Sequence, residues 1–541
     1  MLTAIFRLFA AGLALFAAQP VWAEWHRAES DRFVIYADSR AEDLAEFARQ
    51  LERFHVAMEL ESGRQLAVPS PSNRLTVYLV GSVEELRDIY GQPNSSVGGF
   101  YIPRANGSVA FVPNIRIRSD DGGRGESGSR MKGRATPFVS REVATLLHEY
   151  GHHFLIGSAR HAMPRWLSEG AAEYFSSARF NPDGSVDLGL PNNDRAWEIS
   201  QAAPVSVVEL LDYETYRKKS GGRYDAYYGR SWLLFHYLRF NPQRGGQLVQ
   251  YWQAVASGAD SLTAGTQIFG DLGQLERELK AYGRQRNMAG MRFGAENIRI
   301  GAVTVAPLSA GHAAMMPVIM RSNRGVDTEQ AAALVTKARD IAARHPGDAA
   351  VLTALAEAEY DAGEDAAAIV AADAALAADP KAVGAYVQKG YALFRQAETA
   401  EDKDTAFAAA MRPFEALNAL EADHTQPLIH YFRSYTRRGK APPDGARAAL
   451  ERASELAPFD QNLSIEVALL KASEGEITIA RYMLGPVAAN PHGGKRASVA
   501  RELIARLAAV PDGQRIKIAA FDPDKLDEDE DGEGGEDGGG S

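Results

Sequence analysis

Two histidines one helical turn apart are the residues whose types and spacing point most directly to chemistry in this sequence. His148 and His152 are four residues apart, and Glu149 follows the first of them. On a helix, residues four apart lie on the same face, so both imidazoles can reach one metal ion while Glu149 points towards its open side. The pattern His-Glu-x-x-His therefore predicts a catalytic zinc site carried by a helix.

A second segment can complete this site. Residues 163–174 have the pattern of another helix, with Pro164 suited to its first turn. Glu169 lies seventeen residues after His152, which leaves room for a loop and a returning helix to bring its carboxylate to the metal. Glu173 lies one turn further along the same face. Because zinc-binding histidines usually donate their second ring N–H to a carboxylate, we expect Glu173 to orient one of them.

The two segments together carry a family resemblance. His-Glu-x-x-His followed by Trp-Leu-x-Glu-Gly-x-Ala is similar to the gluzincin clan of zinc metallopeptidases, and within it to the peptidase MA-like bacterial proteins. The resemblance implies an α+β zincin-like metallopeptidase domain at residues 24–290. It also implies one Zn²⁺ per chain, held by His148, His152 and Glu169, with Glu149 as general base.

The aminopeptidase-N branch of the clan is a poorer match. The gap between the two motifs is slightly shorter here than in that branch, and its Gly-x-Met-Glu-Asn motif does not precede the zinc helix. In that branch this motif anchors the amino terminus of the substrate. We therefore do not expect a strict aminopeptidase.

A third segment resembles the gluzincin helix that begins with a catalytic tyrosine. Residues 227–238 have the pattern of a buried helix with tyrosines at its start. If the register of the family applies, Tyr228 donates a hydrogen bond to the oxyanion that develops during hydrolysis. Tyr224 and Tyr227 are the alternatives. A purely structural role stays open as well, because tyrosines often pack between helices.

The elements before the zinc helix should form a layer beside it. A strand at 32–36, a helix capped by Ser39, a strand at 75–80 and a short helix at 83–90 make a β-α-β pattern. The zinc helix itself should begin after Ser140, whose hydroxyl can cap its first turn. This order of elements predicts a sheet on which the zinc helix packs.

A hairpin is expected between this layer and the zinc helix, around the two-residue turn Asn106-Gly107. The resemblance implies that its second strand, residues 108–113, is an edge strand that borders the cleft and to which an extended peptide can add. An ordinary edge hairpin is the alternative. Residues 118–134 are rich in Gly and Ser and should form a mobile loop, either a flap over the site or a loose connection.

His153 follows a predicted ligand directly in the sequence. On a helix it points about 100° away from His152. We therefore expect His153 to pack against the core or to support the site rather than to bind the metal.

The second half of the chain is alanine-rich and periodic. Positions that end helices recur every 33 or 34 residues, with one gap of 44, at Pro346, Pro380, His424, Pro458 and Pro491. This is the tetratricopeptide spacing, and the longer gap predicts a ten-residue insertion near 398–405. Residues 326–515 therefore resemble an all-α tetratricopeptide solenoid, whose concave face can bind a protein partner. A generic helical bundle is the alternative, and residues 291–325 should be a connector.

The N-terminal sequence predicts where in or outside the cell the protein is located. Arg7 precedes an apolar run over residues 8–18, and small residues before position 24 offer a cleavage site, so residues 1–23 have the pattern of a signal peptide. We expect an exported protein, periplasmic or secreted, without stable membrane insertion after cleavage. An uncleaved anchor is the alternative. The sequence has no cysteine, which excludes a disulfide scaffold and a thiol nucleophile and fits a bacterial periplasm.

The net charge of −11 is concentrated at the C-terminus. The last twenty residues contain ten acidic residues and one lysine, and residues 516–541 are expected to be a disordered acidic tail. The remainder of the chain is close to neutral. It offers no basic face, so nucleic-acid binding is not expected.

These patterns together predict an exported zinc metallopeptidase that hydrolyses peptide bonds with a glutamate as general base. The repeat region would recruit a peptide or protein substrate or a partner. One alternative is a catalytically inactive, tetratricopeptide-based periplasmic binding or assembly protein with a peptidase-like domain. Another is zinc-dependent hydrolysis of a non-peptide bond by the same site.

Overall fold

The computed structural model describes residues 24–516, apart from 96, 114–139, 159–160, 221–222, 286 and 491–492. The predicted signal peptide, the predicted loop at 118–134 and the acidic tail from 517 onwards lie outside the described residues. The described chain is mostly helical, with a small N-terminal sheet region followed by many helices. None of these helices is long and apolar enough to cross a membrane.

Nine strands lie in the described part of the chain. They are β1 Trp25–Glu29, β2 Phe33–Asp38, β3 Leu75–Val80, β4 Phe100–Ile102, β5 Val109–Pro113, β6 Arg179–Phe180, β7 Val186–Leu188, β8 Met291–Phe293 and β9 Thr304–Pro307. Six form one sheet in the order β4-β5-β3-β2-β1-β9, and β6-β7-β8 form a second. β3 pairs in parallel with β2 and with β5, and the other pairs are antiparallel.

The described helices of this first half are α1 Ala41–Ser62, α2 Val83–Tyr90, α3 Arg141–Ser158, α4 Arg165–Ser176, α5 Asn193–Gln201, α6 Val207–Leu211, α7 Tyr213–Ser220, α8 Tyr227–Phe240, α9 Gln247–Ala256, α10 Ser261–Phe269 and α11 Leu272–Tyr282. Of these helices, α1, α2 and α3 contact the large sheet directly. One apolar cluster joins the sheet with α1, α3, α4 and α8. The helices that carry both sequence motifs therefore belong to the main core.

The predicted β-α-β opening is present. β2, α1 and β3 follow one another, and β2 pairs in parallel with β3 because α1 returns the chain to the same end of the sheet. The prediction that Ser39 caps α1 is wrong, since the N-cap residue is Arg40 and its side chain makes no capping bond. Arg40 instead donates to Asp43 Oδ2 at 2.8 Å. Acidic residues in the first turn stabilise this helix end through the helix dipole.

Two details of the predicted hairpin are wrong. β5 pairs with β3 on one side and with β4 on the other, so residues 108–113 are interior, and among the described strands β4 lies at the edge. Ile102 pairs with Val109, which leaves a longer loop than the two-residue turn. In this loop the backbone N–H of Ala105 donates to Asp460, and its carbonyl accepts from the Thr425 hydroxyl, both in the repeat half.

Residues 291–325, predicted as a connector, return to the first half of the chain. β8 pairs with β7, and β9 pairs with β1. The next helix, α12 Ala310–Arg324, packs Met316 and Met320 against the large sheet. The sheet half therefore continues past residue 290, because its first and last strands pair although they are far apart in sequence.

Ten described helices form the repeat half. They are α13 Thr328–Arg344, α14 Ala349–Asp361, α15 Asp365–Ala378, α16 Val383–Glu398, α17 Lys403–Leu420, α18 Thr425–Thr436, α19 Asp444–Leu456, α20 Gln461–Glu474, α21 Ile477–Ala489 and α22 Gly494–Leu507. Consecutive helices pack on one another, which is consistent with tetratricopeptide-like repeats. α16 and α17 have 16 and 18 residues, whereas α14 and α15 have 13 and 14. The predicted insertion therefore lengthens two helices rather than a loop.

Candidate metal centre

The helix that carries the first motif is α3. Ser140 caps it, since Ser140 Oγ accepts a hydrogen bond from the backbone N–H of Val143 at 3.4 Å. Leu147 and Phe154 of the same helix are fully buried in the core. Because these apolar residues fix one face of α3, the two motif histidines lie together on the face towards α4.

Two glycines let α3, α4 and α8 approach one another closely. At Gly151 of α3, an added Cβ would lie 3.4 Å from the Cα of Ala172 in α4. At Gly170 of α4, an added Cβ would lie 2.5 Å from the carbonyl oxygen of Ser231 in α8. These glycines belong to the two motifs themselves. They set the spacing of the helices and with it the spacing of the candidate ligands.

The structure brings His148, His152 and Glu169 together. The two Nε2 atoms are 3.1 Å apart, and Glu169 Oε2 lies 3.4 Å from His148 Nε2 and 3.3 Å from His152 Nε2. A tetrahedral Zn²⁺ with ligand distances of about 2.0–2.2 Å separates neighbouring ligand atoms by about 3.3–3.6 Å. The donor types and their spacing therefore fit zinc. Among the described residues, this is the only such group of three or more potential ligands.

Each histidine has a second polar contact that orients its ring. His148 Nδ1 lies 3.2 Å from Glu173 Oε1, and His152 Nδ1 lies 3.1 Å from Ser168 Oγ. When Nε2 faces a metal ion, Nδ1 carries the proton, so both contacts are hydrogen bonds in the ligating tautomer. Glu173 thus lies where the sequence suggested. Ser168 was missed, because it occupies the variable position of the second motif.

Two arginines that the sequence did not single out complete the polar surroundings. Arg195 donates to Glu173 Oε1 at 2.7 Å, and its guanidinium lies 5.2 Å from the ring centre of Tyr228. Arg165 places its Nε 4.0 Å from Glu169 Oε1. Arg165 begins α4, directly before the second motif. Its position next to that motif is the only feature of the sequence that could have suggested a role at the site. Arg195 lies on α5, which packs on α8 and whose N-cap residue Asn192 donates to Glu173 Oε2 at 3.2 Å.

Pairing between opposite charges sets the pKa values of Glu173 and His148. Burial by itself raises the pKa of Glu173, but the positive charges of Arg195 and His148 outweigh burial and lower that pKa to about 2. Burial lowers the pKa of His148, but the carboxylates of Glu173 and Glu169 outweigh it and raise that pKa to about 10. Glu173 is therefore a carboxylate at neutral pH, and a cation that binds at His148 displaces a proton.

Glu149 faces the space next to the candidate ligands. Together with His152 it lines a cavity of about 450 Å³. The Glu149 side chain is half-buried. Its carboxylate can therefore reach a water molecule or a substrate that enters the cavity from solvent, which is the position that a general base requires.

Tyr228 is the tyrosine nearest to the histidines among the three that the sequence suggested. Its ring centre lies 6.5 Å from that of His148. Burial raises the pKa of Tyr228, and the charge of Glu169 raises it further, so its hydroxyl keeps its proton and can donate. Tyr227 is only 2% exposed and packs against Tyr216, and Tyr224 is half-exposed.

His153 is not part of the ligand cluster. Its Nδ1 lies 2.6 Å from the hydroxyl of Tyr101 in β4, and its ring stacks on Tyr150. Burial lowers the pKa of His153 to about 4, with a further contribution from His55. His153 is therefore neutral at physiological pH and links α3 to the edge strand.

The fold and the site together define the protein in outline. It combines a small sheet domain, which carries a buried cluster of two histidines and one glutamate, with a helical region of tetratricopeptide-like repeats. A family model described as a protein of unknown function (DUF1570) matches residues 142–258, which include both motifs. No protein of curated function matches the chain.

One solved structure with a likeness to this chain is that of a thermophilic TPR protein from Thermus thermophilus. The two chains are 18% identical, and the match covers 37% of this chain and 98% of that chain with a TM-score of 0.30. At this TM-score the match does not define how the repeats of this chain are arranged.

Proposed function

We propose that this chain is an exported zinc-dependent metallopeptidase with a zincin-like catalytic domain. The supporting observation is the 3.1–3.4 Å spacing of three candidate ligand atoms, beside a cavity that Glu149 also lines. Two imidazoles and one carboxylate, with a further position open, are a ligand set typical of zinc enzymes that hydrolyse peptides. The resemblance of both motifs to gluzincins supports the same reaction.

The chain's own residues can divide the steps of amide hydrolysis among them. His148, His152 and Glu169 would hold the ion, which supplies Lewis-acid polarisation of the scissile carbonyl and activation of water near neutral pH. Glu149 accepts the proton of the attacking water and passes it to the leaving nitrogen. Tyr228 donates a hydrogen bond to the oxyanion, and one such donor is typically worth about 3 kcal/mol.

The edge strand β4 gives an extended peptide a place to bind. Tyr101 and Pro103, in β4 and just after it, line the same cavity as Glu149. An extended peptide can pair with an edge strand through main-chain hydrogen bonds. We therefore assign to β4 the role that the sequence assigned to residues 108–113.

The proposal also includes export of the protein and a recruiting role for the repeat half. Residues 1–23 support export to the periplasm or secretion, since they have the pattern of a signal peptide. The helical repeat half would form a tetratricopeptide solenoid that recruits a protein partner or substrate. An inactive binding protein is the rival function, but it needs neither a half-buried glutamate beside the cluster nor a cavity that reaches it.

The deciding experiment measures zinc content and peptide cleavage by the full chain without its first 23 residues. We expect one zinc per chain and chelator-sensitive cleavage of a quenched peptide library. Glu149→Gln should keep the zinc and lower turnover by about 10²–10⁴-fold, because it removes the general base. Glu142→Gln is the matched control, since it changes a glutamate of the same helix outside the motif and should keep turnover.

The possible outcomes separate the candidate functions. Normal turnover in Glu149→Gln would contradict the mechanism. Zinc without cleavage of any peptide would favour the inactive binding protein, or a non-peptide substrate if ester or amide probes are hydrolysed instead. Absence of zinc would overturn the assignment of the site itself.

A further inference from the structure

The cavity beside the candidate metal centre lies between the two halves of the chain. On one side it is lined by Glu149 and His152 of α3 and by Tyr101 of β4. On the other side it is lined by residues of the repeat half, mostly from α21 and from the start of α20. Its volume of about 450 Å³ is within the usual range for ligand-binding pockets. The repeats are therefore a wall of the space that the site opens into.

The cavity residues contributed by α21 lie along one face of that helix. Ile479, Tyr482, Met483 and Pro486 all line the cavity, and their spacing of three, four and seven residues places them on one face of the helix. Ile479 is 46% exposed and Tyr482 is 54% exposed. Large apolar side chains with so much exposure, grouped on one stripe beside a site, indicate a surface that a bound molecule covers.

The chemistry of the lining restricts what this molecule can be. Among the described residues that line the cavity there is no lysine or arginine, and Glu149 is the only carboxylate. Phe459, Met163 and Leu155 add apolar surface close to the α21 stripe. An acidic side chain would lose hydration there without gaining a cationic partner, and a basic one would find only the carboxylate of Glu149, the proposed general base. An apolar side chain gains from burial.

The wall is fixed relative to the metal centre. Asp460, at the start of α20, accepts a hydrogen bond from the backbone of Ala105 at 2.7 Å. The neighbouring Phe459 contacts His153 with 4.7 Å between ring centres, and His153 follows the candidate ligand His152. Polar contacts further along the interface join Ser72 to Glu421 at 2.7 Å and 2.9 Å. These contacts hold the start of α20 against the hairpin loop and α3, and α21 packs on α20.

We propose that α21 forms the specificity wall of the substrate cleft and selects peptides that carry an uncharged, apolar side chain next to the scissile bond. This inference rests on the proposed function and extends it. The repeat half is then part of the substrate site. Ile479, Tyr482 and Met483 are its specificity-determining residues, although they lie more than three hundred residues after the first motif.

The test compares two metal-directed probes on the zinc-loaded full chain, acetohydroxamate and a hydroxamate that carries a benzyl group. The wild-type chain should bind the benzyl compound about ten- to a hundred-fold more tightly, because the wall buries the ring. Ile479→Lys and Tyr482→Lys should each remove most of that preference and leave acetohydroxamate binding unchanged. Both positions are partly exposed, so both variants should fold, which thermal unfolding checks.

The matched control is Val370→Lys, which changes a 69% exposed apolar residue of α15 outside the cavity. It should keep the wild-type preference. An equal preference in Ile479→Lys, Tyr482→Lys and the wild-type chain would overturn the specificity wall. So would a wild-type chain that binds both hydroxamates equally.

Peptide cleavage separates this inference from the function on which it rests. In a quenched library, the wild-type chain should favour apolar residues beside the cleaved bond, and Ile479→Lys should shift that preference towards acidic residues. Zinc and hydroxamate binding without cleavage of any peptide would overturn the proposed function, while the ratio of hydroxamate affinities would still decide whether α21 is an apolar wall. Cleavage with an unchanged preference in the variant would overturn the wall alone.

Discussion

The sheet half concentrates buried charge around one point, whereas the repeat half is packed largely with alanine. In the sheet half, Glu169 and Glu173 are at most 3% exposed and lie against histidines and arginines from other elements. In the repeat half, many fully buried positions are alanines, such as Ala356, Ala372 and Ala385. A buried charge needs several correctly placed partners, whereas a buried alanine needs only a neighbouring helix. The candidate metal centre therefore lies in the half where buried charges are paired by residues that are distant in sequence.

The largest difference between the halves should appear when a buried glutamate is removed from each. Glu169→Ala removes a candidate ligand, so we expect zinc content to fall from one per chain to a trace, measured by atomic emission after dialysis. Glu359→Ala removes a buried glutamate that pairs with Arg339 at 2.5 Å in the repeat half. It should keep the zinc and lower the unfolding free energy by about 1–2 kcal/mol. Equal zinc content in both variants would contradict the assignment.

A smaller loss of zinc binding is expected when Glu173, which contacts Nδ1 of His148, is replaced. Glu173→Gln weakens the hydrogen bond that orients this imidazole, so zinc affinity should fall by about 10–100-fold. Competition with a zinc-binding dye measures the affinity. Glu198→Gln is the matched control, because Glu198 also pairs with Arg195 but has no contact with His148. If Glu198→Gln weakened zinc binding as much as Glu173→Gln, the effect would come from Arg195 rather than from the hydrogen bond.

The two halves can also be compared at a glycine that allows two helices to pack closely. Gly170→Ala places a Cβ against the backbone of α8, and Gly390→Ala places one 2.4 Å from the ring of Phe414 in the repeat half. Each should lower the unfolding free energy by about 1–3 kcal/mol through overpacking. Only Gly170→Ala should also weaken zinc binding, because it displaces the helix that carries Glu169. Unchanged zinc affinity in Gly170→Ala would show that α4 tolerates the shift.

The last comparison is a pH dependence of stability in the repeat half. Burial lowers the pKa of His430 to about 3, and the charge of Arg433 adds to this. The unfolded chain binds a proton near pH 6.5 and the folded chain does not, so stability present above pH 6.5 is lost as the pH falls towards 3. Between pH 7.5 and 5 this amounts to about 2 kcal/mol.

His430→Gln should therefore lose less stability than the wild-type chain between pH 7.5 and 5, measured by chemical unfolding at both values. The ring of His430 stacks on Phe414, so the variant is less stable at pH 7.5 and only the difference between the two pH values is informative. An identical pH dependence in both chains would mean that the pKa of His430 is the same in the folded and unfolded states.

The sequence predicted the local parts of the site well. Spacing on one helix indicated the pairing of His148 with His152, and the cap at Ser140 marked where that helix begins. The β-α-β order of the first elements and the periodic helices of the second half also followed from local patterns. The histidine pair and the helix cap depend on residues within about one turn of one another, and the order of elements and the repeats depend on patterns along the sequence, so spacing encodes all of them.

The errors share one cause. The resemblance implies an edge strand at 108–113, and the sequence of this segment does not show which strands flank it. Ser39 was taken as a helix cap because the sequence does not show that α1 begins one residue later. Arg195 was missed because an arginine that pairs inside the protein resembles one on the surface until its partner is known.

The sequence by itself therefore determined the candidate metal ligands on α3, the helical repeats and the types of residue in each core, because helix periodicity records which face is buried. Only the tertiary structure decided what each face is buried against. It pairs β9 with β1 and brings Arg195 to Glu173. It also sets α21 beside Glu149. These contacts join residues that are distant in sequence, and they form only when the packing of the whole chain satisfies all of the buried faces at once.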